Sequence, residues 1–123
     1  MTRIEKLKKN QIFVFGSNAK GKHMGGAAKY AYDNFNARWG QAEGIQGQSY
    51  AIVTLDEDMR RVPLSYIDAQ LRKLNDYARE HIENEFLLTP IGCGIAGFSI
   101  AQIRDICLNI NWTSNIVLPK EFQ

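Results

Sequence analysis

Three features of this sequence predict an α/β fold built around a central, mostly parallel sheet. Short apolar strand patterns alternate along the chain with helical ones. All ten glycines fall in three windows, Gly16 to Gly26, Gly40 to Gly47 and Gly92 to Gly97. Two of those windows join a strand to a helix, the connection that crossover units require. The expectation is one three-layer α/β/α domain over residues 1–123, with a mixed sheet and with residues 1–10 as a peripheral N-terminal segment. A chain of 123 residues, 45% of them hydrophobic, can bury such a core without staples.

The elements follow in order. Gln11-Ile12-Phe13-Val14-Phe15 is a continuous apolar run that suits a strand buried on both faces. Gly16-Ser17-Asn18 favours a turn. From Met24 to Trp39 the apolar residues Met24, Ala28, Ala31, Phe35 and Trp39 recur at helical spacing, and Gly40 is placed to stop that helix in the left-handed conformation. Ser49–Leu55 is the second strand, and Asp56-Glu57-Asp58 a solvated turn, because contiguous carboxylates rarely converge on one ion. A second helix opens with Ser65 as N-cap, Asp68 three residues on, and Leu64 placed to staple onto Ala69. Its buried stripe is Ile67, Leu71, Leu74, Ala78 and Ile82, and His81 sits at its C-terminal end, where positive charge suits the dipole. Glu85–Ile91 is the third strand. Ser99 and Gln102 form a capping box, and Phe98 and Ile103 a staple, opening a helix that buries Ile103, Ile106, Cys107 and Ile110. Asn115–Leu118 is the last strand, ended by Pro119.

Composition excludes several classes. Fifteen basic and thirteen acidic residues leave +2, without the field of a dedicated nucleic-acid surface. Arg3, Lys6, Lys8 and Lys9 cluster near the start, interrupted by Glu5, and read as a solvated segment. No apolar run approaches the roughly 18 residues of a membrane span, and the opening residues hold no secretory apolar region. The cytoplasm is the expected compartment, Cys93 and Cys107 are expected to be unpaired, and the sequon at Asn111-Trp112-Thr113 has no role there. Two Cys and two His without close spacing predict no metal site, and no cofactor is expected.

Chemistry gathers in the two strand-to-helix loops, since ligands of open α/β sheets bind beyond the carboxyl ends of the strands. The first runs from Gly16 through His23 to Gly25-Gly26-Ala27, the second from Gly92 to Phe98. Each sets bare backbone beside a helix N-terminus, where free N–H groups and the dipole favour a phosphate. Neither is a Walker loop. Gly92-x-Gly94-x-x-Gly97 fits the dinucleotide template, though it lies outside the first strand–helix unit.

These residues resemble a macro domain, the ADP-ribose-binding fold, especially the compact versions found in bacterial and phage genomes. The resemblance rests on Val14-Phe15-Gly16-Ser17-Asn18 with Gly25-Gly26-Ala27-Ala28, on Pro90-Ile91-Gly92-Cys93-Gly94-Ile95-Ala96-Gly97-Phe98, and on the strand Tyr50–Thr54 between them. It spans about Gln11 to Leu118. It implies a macro-like fold in which Gly16, Ser17 and Asn18 meet the distal ribose and Gly25, Gly26 and Ala27 approach ribose and diphosphate. It also implies that Gly92, Cys93, Gly94, Ile95, Ala96 and Gly97 wrap the diphosphate and that Phe98 packs on the distal ribose. Hydrolytic members often carry aspartate in one of these loops; here neither loop has an acidic residue, and Ala96 stands where some relatives have aspartate.

The resulting expectation is a protein that binds ADP-ribose or a related nucleotide diphosphate, free or on an ADP-ribosylated macromolecule, with weak ADP-ribosyl hydrolase activity second. Asn18 and His23 are the candidate catalytic residues. His23 reads either as a ligand contact or general acid–base, or as a solvent-facing loop residue. Lys20 and Lys22 read as phosphate neutralisers or as plain exposed lysines. Cys93 either presents its amide or, with His23, forms a Cys–His nucleophile. The middle glycine window reads as a flexible cover carrying Glu43, the nearest carboxylate. The alternative is an accessory protein that acts through protein contacts on the same scaffold without ligand turnover.

Overall fold

In the computed structural model, which describes residues 4–123, the elements run β1 (Gln11–Asn18), α1 (Gly26–Asn34), β2 (Gly44–Gln46), β3 (Ser49–Leu55), α2 (Leu64–Glu80), β4 (Glu85–Leu88), α3 (Ile100–Leu108) and β5 (Ile116–Val117). A 3-10 turn, Lys120–Phe122, follows β5. The strands lie in the order β2-β3-β1-β4-β5. β1 pairs in parallel with β3 and β4, and β4 with β5, while β2 alone runs antiparallel, against β3. The α/β class and the mostly parallel mixed sheet are as the sequence predicts.

Alternation along β1 divides the interior, because successive side chains of a strand point to opposite faces. Ile12 and Val14 join Tyr50, Ile52, Phe86 and Leu88 under the apolar faces of α2 and α3. Phe13 and Phe15, with Ala51, pack under Ala28, Ala31 and Phe35 on the α1 side. Helices on both faces make three layers. Beyond the short pairing with β2, the outer edge of β3 is closed by the buried Gln70 of α2, which accepts from Val53 N and donates to Val53 O, each at 2.7 Å.

Several boundaries differ from the sequence expectation. α1 ends at Asn34, not near Trp39, because Asn36 takes the left-handed conformation (φ 60°) that breaks the helix. Gly40 is left-handed too, but in the loop that follows. The middle window is not a flexible cover: it carries β2, and Gly47-Gln48 is the two-residue turn of the β2–β3 hairpin. Gly47 has φ 59°, and a Cβ there would lie 2.4 Å from Asn36 O. α2 starts at Leu64 after Pro63, so Ser65 is inside the helix and exposed, and Asp68 pairs with Arg72 in place of a capping contact. The Leu64 staple is not made: Leu64 packs on the core while Ala69 is exposed. Ile82 lies past the end of α2 and is 62% exposed. The capping box of α3 forms as expected, Gln102 N donating to Ser99 Oγ (3.1 Å) and Ser99 N to Gln102 Oε1 (2.9 Å).

The segment before β1 is docked, not frayed, over its described part. Ile4 and Leu7 pack against the α1-side core, and Tyr30 Oη donates to Glu5 O. Lys6, Lys8 and Lys9 point to solvent, and Arg3 lies outside the described residues. Among the described residues no helix is long and apolar enough to cross a membrane.

Candidate functional site

The parallel strands all end on one edge of the sheet, and a groove of about 1620 Å³ runs along that edge. Leu55 at the end of β3 and Met59 beyond it, Asn18 of β1, Pro90 to Gly92 after β4, and Pro119 and Lys120 after β5 line it in turn. The two glycine loops meet at its centre. A Cβ on Gly16 would lie 3.7 Å from Gly92 N and 3.4 Å from Thr54 Cγ2, so the bare α-carbon of Gly16 lets the second loop close onto β1.

The first loop is shaped by its own side chains. Asn18 Oδ1 accepts from Lys20 N (3.2 Å) and Lys22 N (3.0 Å), and Asn18 Nδ2 donates to Lys22 O (2.8 Å). An asparagine amide has two N–H donors, so one remains for a ligand. Ser17 Oγ donates to Ala42 O (2.7 Å), tying the loop to the segment before β2. The chain then enters α1 through Gly25, whose side-chain-free N-cap leaves the first turn uncapped. Among the described residues, no protein acceptor takes the N–H groups of Gly26, Ala27 or Ala28.

The second loop folds on apolar contacts. Gly92 (φ 76°) brings Phe98 Cδ2 within 3.2 Å and Ile103 Cδ1 within 3.4 Å of where its Cβ would stand. Phe98 N donates to Gly92 O (2.9 Å) and Gly97 N to Gly94 O (3.0 Å), closing the loop at its base. The N–H groups of Gly92, Gly94, Ile95 and Ala96 have no protein acceptor among the described residues. All four residues line the groove.

Two glycines are not required by the chain itself. Gly25 is extended (φ −156°), Gly94 lies outside the left-handed region, and a Cβ on either would meet nothing within 4 Å. Any residue satisfies the backbone there, and no protein atom excludes a side chain. Their bareness keeps free amides approachable from the groove.

Of the residues named from the sequence, Gly16, Ser17, Asn18, Gly25, Gly26 and Ala27 of the first loop and Gly92, Cys93, Gly94, Ile95 and Ala96 of the second line this one groove. Gly97, Phe98 and His23 do not. Phe98 is in the core beneath α3, the staple having claimed it, and the guanidinium of Arg61 lies 4.8 Å over its ring. Gly97 closes the loop, and its carbonyl accepts from Arg61 Nη1.

His23 is neither in the groove nor facing solvent: it is 1% exposed, behind the loop. Its Nε2 sits 2.8 Å from Arg38 O and 3.1 Å from Gln46 Oε1, both acceptors, so Nε2 carries the proton. Its Nδ1 is buried without a partner, and Phe15, Tyr32 and Trp39 surround the ring. Gln46 completes this buried knot, its Oε1 accepting from Arg38 N (2.7 Å) and its Nε2 donating to Gln41 O (3.1 Å). His23 thus pins the first loop to the segment before β2.

The Cys–His pair does not form. Burial first, and Glu121 second, push the Cys93 thiol above its ordinary value, the opposite of an activated thiolate. Glu43 faces α2, 3.7 Å from Lys73 Nζ, and does not line the groove. The acidic residue that does is Glu121, with the cations Lys22, Arg104 and Lys120. Of these only Lys22 was named from the sequence; Arg104, Lys120 and Glu121 were not. Their signal was positional: β5 is also parallel, so residues beyond Pro119 reach the same edge, and Arg104 stands one turn from Ile100 on α3. No group of three or more His, Cys, Asp or Glu side chains converges as a metal site among the described residues.

Comparison of the chain with protein-family models, with curated proteins and with solved structures found no match.

Proposed function

We propose that this protein binds ADP-ribose or a related nucleotide diphosphate in the groove at the strand ends. The observation that carries the reading is the pair Gly25 and Gly94: glycines that neither backbone conformation nor packing demands, one on each loop, each beside unsatisfied amides. Bare amides in two facing loops suit an anion with oxygens on both sides, as a diphosphate has. The uncapped N-terminus of α1 adds its dipole, and no acidic side chain stands in either loop to compete. Asn18 keeps one amide N–H for a ribose hydroxyl.

The same geometry favours binding over turnover. With His23 buried behind the loop, the groove offers Glu121, Cys93 and Tyr30 as its titratable acids, and burial pushes the Cys93 thiol up, away from an activated thiolate. Titration calorimetry with ADP-ribose tests the reading. Saturable one-to-one binding that a diphosphate competes away supports it; no heat at millimolar ligand with folded protein removes it.

A further inference from the structure

The groove is larger than a diphosphate sugar needs, and at its far end two cations face one carboxylate. About 1620 Å³ exceeds the roughly 300–1,000 Å³ of one small-molecule pocket. The glycine loops follow β1 and β4, whereas Pro119, Lys120 and Glu121 follow β5, the next strand in the sheet. Neighbouring strands lie about 4.8 Å apart, which sets the β5 end about 5–10 Å from the place where the two loops meet.

Arg104 stands at that end. It is half-buried on α3, lines the groove, and its side chain makes no hydrogen bond or ion pair among the described residues. Lys120, exposed on the turn that packs against α3, lines the same groove, likewise without a side-chain partner among the described residues. Glu121 also lines the groove but is paired with neither, so two cations face one carboxylate. An arginine can cover its aliphatic stem while its guanidinium stays accessible, and this guanidinium is given no acceptor by its own chain among the described residues. Its planar fork suits two oxygens of one phosphate.

We infer that the physiological ligand carries a phosphate monoester beyond the diphosphate, held by Arg104 with Lys120. This rests on the nucleotide-diphosphate reading above and narrows its ligand class: a nucleoside diphosphate phosphorylated on a ribose hydroxyl. The diphosphate lies against the loop amides, and the extra phosphate lies one or two strands along the same edge.

The test compares ADP-ribose with its adenosine 2′-phosphate and 3′-phosphate derivatives, by calorimetry on the full chain and on Arg104→Gln, Arg104→Lys and Lys120→Gln. One phosphorylated ligand is expected to bind about tenfold to a hundredfold tighter than ADP-ribose, the gain of one or two charge-assisted bonds. The attachment point is given by which of the two gains. In Arg104→Gln that affinity ratio collapses towards one, and Arg104→Lys recovers part of it. Equal affinity of all three ligands for the wild-type chain overturns the inference and leaves the diphosphate reading standing, as does a ratio untouched by Arg104→Gln. Failure of all three to bind overturns both.

Discussion

Gly94→Glu separates ligand binding from folding. A Cβ at position 94 would meet nothing within 4 Å, and the backbone there is outside the left-handed region, so the folded state accepts the side chain without strain. Replacing a glycine of ordinary conformation also removes freedom from the unfolded chain, an effect of about 0.4–1 kcal/mol in favour of folding. The melting temperature should hold or rise by about 2–5 °C. Binding behaves oppositely. The new carboxylate stands beside the free amides of Gly94, Ile95 and Ala96, repels a diphosphate and obstructs its approach. Two lost amide–phosphate bonds at about 1.5 kcal/mol each weaken ADP-ribose about a hundredfold. Gly47→Ala is the contrasting case: φ is 59° and the Cβ would lie 2.4 Å from Asn36 O, so it should lower stability by about 2 kcal/mol or more. The assay is thermal denaturation paired with calorimetry on the same samples. Wild-type affinity in Gly94→Glu would refute the role of the bare amides. A destabilised Gly94→Glu, or an unperturbed Gly47→Ala, would refute the division between glycines that serve the fold and glycines that serve the groove.

Three further outcomes follow. Gly25→Asp supplies α1 with the N-cap it lacks; helix stability should stay level or gain a few tenths of a kcal/mol, while ADP-ribose binding falls at least tenfold because a carboxylate occupies the first-turn amides. Calorimetry showing undiminished binding would exclude α1 from the anion site. His23→Ala should cost about 2–4 kcal/mol in chemical denaturation, from lost Nε2 bonds and an aromatic-walled cavity; a variant as stable as wild type but dead in turnover would restore a catalytic role to His23. Burial pushes the Cys107 thiol from 9.0 to about 12 and the Tyr50 phenol from 10.0 to about 12. The unfolded chain therefore releases these protons first, so stability present below pH 9 should decline as pH rises from about 9 to 12. Denaturant midpoints that stay flat to pH 11 would contradict this, and Cys107→Val should flatten the slope.

What could be read from the sequence followed strong local patterns. β1 and β3 declared themselves by continuous apolar runs, α3 by the Ser99–Gln102 box, and the groove by two glycine loops at strand ends. The errors arose where two physical signals shared one residue. Phe98 fits both a staple and a ribose platform, and burial against Gly92 and Ile103 takes it. Trp39 continues the helical period of α1, but Asn36 breaks the backbone before the period is complete. β2 is three residues long and holds Gly44, too short for any alternation to show. His23 was legible as a special residue and not as a buried one, because the acceptors that fix it, Arg38 O and Gln46 Oε1, lie on a segment whose return to the first loop only the tertiary structure reveals.

The two loops end up asymmetric, and the asymmetry bears on what holds an anion. Sequence reading treated both as helix N-termini facing a phosphate. α3, however, engages Ser99 N and Gln102 N in its own capping box, so its N-terminus has fewer open donors to offer a ligand than that of α1. Its loop contributes through Gly92, Gly94, Ile95 and Ala96, ahead of the cap, where no acceptor is supplied. α1 has the complementary arrangement: no side-chain cap, and first-turn amides left open at Gly26, Ala27 and Ala28. Asn18 and Ser17, the polar side chains able to reach in from β1, are committed to Lys20, Lys22 and Ala42 instead. In each loop the side chains that would satisfy the backbone are absent or spent elsewhere. Gly26, Gly94 and Ile95 are exposed, so their N–H groups are open to solvent or to a ligand with no protein group competing for them among the described residues. Under the proposed reading, a diphosphate between an uncapped helix and a bare loop meets donors that no protein group has to release.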